Sequence, residues 1–245
     1  MNDAVALLDL EKLGPYLAEN VPELGAIESA EKFAGGQSNP TFRLQTISGT
    51  CVLRRQPPGK LLKSAHAVDR EYRVMKALAG SPVPVPQVLH LCEDIDVIGS
   101  KFFLMEYCDG RIFWDASLPG LDPDERGRIY DQTNQVLASL HALDVEAADL
   151  ADYGHPGNYF ERQYQRWKSQ YEASENRTIA TMNQLIDWLG ANLPPDDGKV
   201  ALVHGDYRLD NLVFHHERPE IIAVLDWELS TLGHPLADLA YQCMM

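Results

Sequence analysis

A polar loop in the last fifth of the chain carries the residues best suited to chemistry. His204, Asp206 and Asn211 lie between two short apolar runs, Ala201–Val203 and Leu212–Phe214. Apolar runs of this length that are bounded by turn-forming residues are typical of buried strands. We therefore expect the core to anchor the loop at both ends and to hold the aspartate and the asparagine in fixed positions.

A third oxygen-bearing side chain, Asp226, follows the next apolar run at residues 223–225. Because Asp206, Asn211 and Asp226 each adjoin an apolar run, we expect them to converge from adjacent strand ends. Carboxylate and carbonyl oxygens are the ligands that Mg²⁺ prefers, and waters and phosphates commonly complete its shell. Asp and Asn are also common in turns at strand ends, but this spacing favours the metal site.

Two glycines in the first quarter of the chain could approach a phosphate. Gly35 and Gly36, followed by Ser38, lie between two predicted strands. Glycine allows close approach of the backbone and presents its amide as a donor. A hairpin turn uses the same residues, and for this stretch alone the turn is the favoured interpretation.

Two charged residues further along could form a pair. Arg54 shares a strand face with Val52 by the two-residue alternation of strands, although a cation at a strand end is commonly a solvated edge charge. Glu71 lies on the apolar face that Val68 and Met75 define on a predicted helix. A buried carboxylate needs a cation; a solvent-exposed helix flank fits Glu71 equally well.

The elements that must position these residues change in type along the chain. The first half predicts a short amphipathic helix, three strands, one long helix capped by Ser64 and ended by Gly80, and two more strands. The second half predicts mainly helices before the strands around the polar loop. The predicted elements lie at residues 8–19 (helix), 28–56 (three strands), 64–80 (helix), 87–94 and 101–107 (strands), and 122–143, 158–174 and 178–192 (helices).

The composition limits the classes of partner. With 245 residues and 45% hydrophobic content, the chain can bury a sizeable core as one large domain or two lobes. Its formal charge of −15 argues against nucleic acid or an anionic membrane as the main partner. The four cysteines lack the spacing of a metal site and the density of a disulfide scaffold. No apolar run approaches membrane-spanning length, and we expect a cytoplasmic protein.

The motifs resemble those of a known family. His204-Gly205-Asp206 with Asn211 resembles the HGDxxxxN catalytic loop of aminoglycoside phosphotransferase-like kinases, and residues 225–228 resemble their metal-binding strand end. The order of glycine loop, strand cation, helix glutamate, linker, catalytic loop and metal aspartate is also similar. Residues 52–78, 204–215 and 223–241 most resemble the phosphotransferase domain that some organisms fuse to acyl-CoA dehydrogenases.

This resemblance implies an α+β, two-lobed protein-kinase-like fold. Residues 1–106 would form a nucleotide-binding lobe with an antiparallel sheet and one long helix, and residues 107–245 a mainly helical catalytic lobe. Asp206 would be the catalytic base, and Asn211 and Asp226 the Mg²⁺ ligands. The expected ATP-binding residues are Gly35, Gly36, Ser38, Arg54, Glu71, and Glu106 and Tyr107 of the linker.

The implied activity is ATP- and Mg²⁺-dependent phosphoryl transfer to a hydroxyl of a small molecule. The closest resemblance favours a hydroxyacyl-CoA; an aminoglycoside or amino alcohol is the alternative, and a nucleotide-binding pseudokinase is the alternative from another class. The chain departs from the family in two respects. Arg54, with Arg55 beside it, stands where a lysine is usual, and the two residues are not interchangeable. The sequence ends one predicted helix after Asp226, so we expect it to be a fragment.

Overall fold

The computed structural model describes residues 8–34, 39–57 and 66–244. A five-stranded antiparallel sheet dominates the first half and has the order β1-β2-β3-β5-β4. Helix α3 is a single turn between the last two strands. The elements of this half are α1 (Leu10–Asn20), β1 (Ile27–Lys32), β2 (Thr41–Thr46), β3 (Gly49–Arg55), α2 (Val68–Leu78), β4 (Val88–Cys92), α3 (Ile95–Ile98) and β5 (Phe102–Glu106).

Alternation along β3 sends successive side chains to opposite faces of the sheet. Leu53 packs in the core cluster that contains Leu13 and Leu17 of α1, whereas Val52 packs in the cluster that contains Val74 of α2. Arg54 therefore shares a face with Val52, as the spacing predicted, and is directed towards α2. The sheet lies between the two helices, and the α2 side is the side that continues into the rest of the molecule.

The second half is mainly helical and also holds two short two-stranded sheets. Helix α4 (Pro123–His141) begins as predicted, because Asp122 accepts a hydrogen bond from the amide of Glu125. Strands β6 and β9 form one antiparallel pair, and β7 and β8 form the other. The remaining elements are α5 (Tyr159–Ser174), α6 (Ala180–Ala191), β6 (Ala201–Val203), β7 (Leu212–Phe214), β8 (Ile221–Val224), β9 (Thr231–Gly233) and α7 (Leu236–Cys243).

The structure confirms the predicted helices and strands within its described ranges. Both apolar runs that flank the polar loop are fully buried strands, β6 and β7. Gly80 takes the left-handed conformation just after α2, with φ +77°. The predicted start of α2 is wrong: the helix begins at Val68 with Ala67 as its N-cap and without a side-chain cap, and the predicted cap Ser64 lies outside the described residues. None of the described helices is long and apolar enough to cross a membrane.

Candidate active site

Four charged residues from distant parts of the chain meet where the sheet faces the second half. We call Arg54, Glu71, Asp226 and Glu228 the arginine cluster. Arg54 Nε lies 2.9 Å from Glu71 Oε2, and its terminal nitrogen Nη2 lies 2.5 Å from Asp226 Oδ1 and 3.8 Å from Glu228 Oε2. Glu71 is therefore a buried, paired carboxylate, which excludes the exposed helix flank as its position.

The structure also distinguishes the two adjacent arginines. Arg54 points into the arginine cluster. Arg55 points to the opposite face of the sheet, where its guanidinium donates to Ser100 Oγ and to the carbonyl of Ile98, each at 2.9 Å. Arg54 is thus the cation that pairs with Glu71.

The arginine cluster holds three carboxylates against one guanidinium. Burial raises the pKa of Glu71 to about 7; the charge of Arg54 lowers it, and the charges of Asp226 and Glu228 raise it further. Burial opposes the charged form of Arg54, but Glu71 and Asp226 raise the pKa of the guanidinium above its ordinary value. The cluster therefore carries an excess of negative charge that attracts a cation.

Two residues of this site were missed by the sequence analysis. Asn39 is fully buried, and its side-chain nitrogen donates to Glu71 Oε1 at 2.8 Å and to Glu228 Oε2 at 3.3 Å. Buried polar groups are nearly always paired, but nothing local marks this pairing in the sequence. Glu228 lies two residues after Asp226, and this nearness of a second carboxylate was the available signal.

The polar loop forms a second group, which we call the aspartate loop, residues 204–211. Asn211 Nδ2 donates to Asp206 Oδ2 at 3.0 Å and to the carbonyl of Asp206 at 2.9 Å. Arg208 lies with Nε 3.2 Å from Asp206 Oδ1 and with Nη2 2.9 Å from Asp210 Oδ2. One oxygen of Asp206 therefore accepts a hydrogen bond from Asn211, and the other lies beside the positive charge of Arg208, whose Nε makes no hydrogen bond.

A buried aspartate on α7 braces the start of the aspartate loop. Asp238 accepts hydrogen bonds from the amides of His204 and Gly205, each at 2.8 Å, and lies 2.9 Å from His141 Nε2. Gly205 has φ +84°, and a Cβ there would lie 2.8 Å from the carbonyl oxygen of Leu229. A side chain at this position would be strained and crowded, so glycine is required between the histidine and the aspartate.

His204 shapes the loop from inside the core. Its Nε2 donates to the carbonyl of Leu225 at 2.9 Å, and its Nδ1 accepts from the amide of Asp206 at 3.2 Å. Complete burial lowers the pKa of His204, against the opposing charge of Asp238. The imidazole is therefore neutral, and it contacts backbone rather than a substrate. His234 is buried as well and lies 3.1 Å from Asp197.

The aspartate loop and the arginine cluster adjoin one another. The amide of Leu225 donates to the carbonyl of Asn211 at 2.8 Å, which places Asp226 next to Asn211. Asp226 itself adopts a left-handed conformation with φ +64°, which Asp and Asn tolerate better than other residues with side chains. The predicted residues Arg54, Glu71, Asp206, Asn211 and Asp226 thus belong to one site.

Other predicted residues lie at the edges of this site or outside the described ranges. Glu106 ends β5 with an exposed side chain that accepts from the amide of Gln87, and Tyr107 lies under the guanidinium of Arg43. Within the described ranges, neither side chain bonds to the arginine cluster or the aspartate loop. Gly35, Gly36 and Ser38 lie outside the described residues.

A small cavity opens beside the aspartate loop. Four of its ten lining residues are aromatic, and Arg208 and Asp210 add an ion pair. The aromatic side chains are Phe113, Trp114, Tyr130 and Tyr207. The cavity therefore borders the aspartate loop at Arg208 and Asp210.

The sequence matches the model of the phosphotransferase enzyme family over residues 29–245. It is 54% identical to mouse acyl-CoA dehydrogenase family member 10 over 213 residues, which are 87% of this chain and 20% of that protein. It is 47% identical to human acyl-CoA dehydrogenase family member 11 over 237 residues, which are 95% of this chain and 30% of that protein. The chain thus spans less than a third of the length of these relatives.

Solved structures show the same fold. A candidate aminoglycoside phosphotransferase from Ralstonia eutropha matches with a TM-score of 0.85 and 50% identity, over 97% of this chain and 70% of that one. Aminoglycoside phosphotransferase APH(4)-Ia, in complex with ADP and hygromycin B, matches with a TM-score of 0.68 and 17% identity, over 94% and 75% of the two chains. The predicted kinase-like α+β fold is confirmed.

Proposed function

The chain belongs to the phosphotransferase enzyme family, and on that premise we propose that it transfers the γ-phosphate of ATP to a hydroxyl group of a small molecule with the help of Mg²⁺. The observation that carries this proposal is the meeting of the arginine cluster and the aspartate loop. Together they supply a carboxylate for a hydroxyl, oxygen ligands for a cation and a cation for phosphate, which are the groups that phosphoryl transfer uses.

Asp206 is the proposed catalytic base. Its carboxylate orients the acceptor hydroxyl and accepts the proton as the oxygen attacks phosphorus. Asn211 holds one carboxylate oxygen by a hydrogen bond at 3.0 Å, and the charge of Arg208 lies 3.2 Å from the other. Since phosphoryl transfer depends mostly on positioning and charge stabilisation, a base positioned by Asn211 supports the role.

The residues present fit a divalent cation. When all three are ionised, Glu71, Asp226 and Glu228 exceed the charge of Arg54 by two, and a divalent cation would balance that excess and favour the ionised form of Glu71. The side-chain nitrogen of Asn211 faces Asp206, which leaves its carbonyl oxygen for a metal. Asp226 and Asn211 are thus the proposed Mg²⁺ ligands. When bound, Mg²⁺ would offset the charge of the phosphates.

Nucleotide binding is assigned to the first lobe, residues 1–106, and to the linker after it. Arg54, oriented by Glu71, is assigned to the phosphates, together with Gly35, Gly36 and Ser38. Glu106 and Tyr107 are assigned to the adenine. Catalysis is assigned to residues 107–245. The support for these assignments is the order of motifs and the Arg54–Glu71 ion pair.

For the acceptor we propose a hydroxyacyl-CoA. The support is the identity of 47–54% to acyl-CoA dehydrogenase family members, together with the cavity that borders the aspartate loop. An aminoglycoside or amino alcohol is the second candidate, favoured by the fold neighbour solved with hygromycin B.

The test is Mg²⁺-dependent ADP release across a panel of hydroxyacyl-CoAs, aminoglycosides, amino alcohols and sugars. We expect a hydroxyacyl-CoA to stimulate release. The Asp206→Asn variant should bind nucleotide as the wild type does and lose about 10²–10⁴-fold in turnover, the usual contribution of a catalytic base. ATP binding without stimulation by any acceptor would favour the pseudokinase, and unchanged turnover in the variant would refute the role of Asp206.

A further inference from the structure

Each nitrogen of the Arg54 guanidinium has a protein partner. Nε is held by Glu71 at 2.9 Å, Nη1 donates to Thr41 Oγ1 at 3.4 Å, and Nη2 lies 2.5 Å from Asp226 Oδ1. The side chain is only 9% exposed. Because so little of the side chain is accessible, a phosphate can reach the guanidinium only if one of these partners moves aside.

Asp226 is the partner whose release matters most. Its side chain is 29% exposed, against 1% for Glu71, so it is the contact open to a ligand. A carboxylate oxygen at 2.5 Å from a guanidinium nitrogen is occupied by one cation, and a second cation beside it is repelled. The forked guanidinium is what allows one side chain to hold two carboxylates, because a lysine offers a single compact ammonium.

We propose that Arg54 competes with the divalent cation for Asp226 in the nucleotide-free protein. Phosphate oxygens draw the guanidinium away from Asp226 and free its oxygen, so metal and nucleotide bind as a unit. This inference rests on the proposed function and adds an order of events to it. By linkage, nucleotide raises the affinity for metal by the same factor as metal raises the affinity for nucleotide.

The coupling can be measured with Mn²⁺ alone as the probe, because the electron paramagnetic resonance signal of free Mn²⁺ reports binding without turnover. Each protein is titrated with Mn²⁺, first without nucleotide and then with the β,γ-imido analogue of ATP. Glu71→Gln keeps Arg54 beside Asp226 and is the matched control. The double variant Arg54→Gln/Glu71→Gln removes the guanidinium without leaving Glu71 as an unpaired buried carboxylate.

Arg54→Lys separates competition from simple charge repulsion, since it keeps the positive charge and loses the fork. Without nucleotide, we expect Arg54→Lys to bind Mn²⁺ at least ~5-fold more tightly than the wild type does. We expect the same increase in the double variant relative to Glu71→Gln. A ~5-fold change is the lower end of ordinary coupling between two sites. The factor by which nucleotide raises the affinity for Mn²⁺ should be smaller in Arg54→Lys and in the double variant, by a similar amount. Arg55→Lys, on the opposite face of β3, should change neither value.

Equal Mn²⁺ affinity of wild type and Arg54→Lys without nucleotide would overturn the inference while leaving the proposed function intact. Absence of Mn²⁺ binding even with nucleotide would overturn both. Thermal unfolding of each variant establishes that it is folded. If Arg54→Lys fails to fold, the comparison of the double variant with Glu71→Gln decides, because those two differ only at Arg54.

Discussion

The two halves of the site are built in different ways. The arginine cluster joins a strand, a helix and the turn after β8, and its contact between Arg54 and Asp226 spans 172 positions. The aspartate loop makes many of its contacts over two to five positions, as between Asn211 and Asp206, and is tied to the rest of the chain by Asp238 and Leu225. The cluster therefore depends entirely on long-range packing, whereas the loop is also stabilised by local bonds.

This difference has a functional consequence. A base has to keep one orientation, and a short loop with local bonds achieves that. Groups that bind a charged nucleotide and then release it have to exchange partners. A cluster drawn from separate elements, with three carboxylates around one guanidinium, has several partners to exchange.

The largest expected effect on stability comes from the arginine cluster. Arg54→Gln leaves buried Glu71 beside Asp226 and Glu228 without a cation, and we expect it to destabilise the fold by about 3–5 kcal/mol, the usual cost of breaking a buried pair. Glu71→Gln should cost clearly less, because Arg54 keeps Asp226. The measurement is urea unfolding of both variants and the double variant.

The double variant should be destabilised by less than the sum of the two single variants, since the pair is coupled. Additive losses would mean that Arg54 and Glu71 do not stabilise each other. If Arg54→Gln and Glu71→Gln lowered the free energy of unfolding equally, the prediction that Arg54 matters more because it also pairs with Asp226 would be wrong.

The brace of the aspartate loop should come next. Asp238→Ala removes the acceptor from two backbone amides, at His204 and Gly205, and each unsatisfied buried donor costs about 1–3 kcal/mol. Asp238→Asn keeps a side-chain oxygen and is the matched control. The free energy of unfolding in urea and the turnover rate should both decrease less in Asp238→Asn than in Asp238→Ala.

Equal losses in the two Asp238 variants would show that the charge of Asp238, not its position as an acceptor, supports the loop. Nucleotide affinity should stay close to wild type in Asp238→Asn, because the arginine cluster does not use this residue. A loss of nucleotide affinity larger than the loss of turnover would contradict the separation of the two groups.

The smallest expected effect is the pH dependence that His204 adds. Its pKa is lowered by burial from the ordinary value of 6.5, so below about pH 6.5 the unfolded chain binds a proton that the folded chain excludes. As the pH falls below about 6.5, the free energy of unfolding should therefore decrease, and this group contributes at most about 1.4 kcal/mol per pH unit to the decrease. Asp238, Asp226 and Asp206 face the imidazole and moderate the shift.

The check is urea unfolding at pH 7.5 and pH 5.5 for wild type and His204→Gln, which keeps a donor for the carbonyl of Leu225. The difference in the free energy of unfolding between the two pH values should be smaller in the variant. The same pH difference in both proteins would mean that His204 takes up a proton as easily when folded as when unfolded.

The aspartate loop was predictable from sequence because its signals are local. Two apolar runs bracket it, and they are the buried strands β6 and β7. The helix that begins at Asp122-Pro123 was predictable for the same reason, since cap and first turn are adjacent in sequence.

The arginine cluster was only partly predictable. Alternation placed Arg54 on the face of Val52, and helical spacing placed Glu71 on a buried face, but neither rule states which groups meet. Which of Arg54 and Arg55 pairs with Glu71 depends on which face of the sheet is directed towards α2, and only the structure shows this. Asn39 and Glu228 acquire their roles only from contacts 32 and 189 positions apart, and no local pattern encodes such contacts.

The central claim is that the arginine cluster and the aspartate loop form one site for ATP and Mg²⁺. The most direct test is calorimetry of ATP binding with and without Mg²⁺, for wild type and for Asp226→Asn, which suits the left-handed backbone at this position. We predict binding that depends on Mg²⁺ in the wild type and a loss of that dependence in the variant. An unchanged, Mg²⁺-dependent nucleotide affinity in Asp226→Asn would contradict the claim.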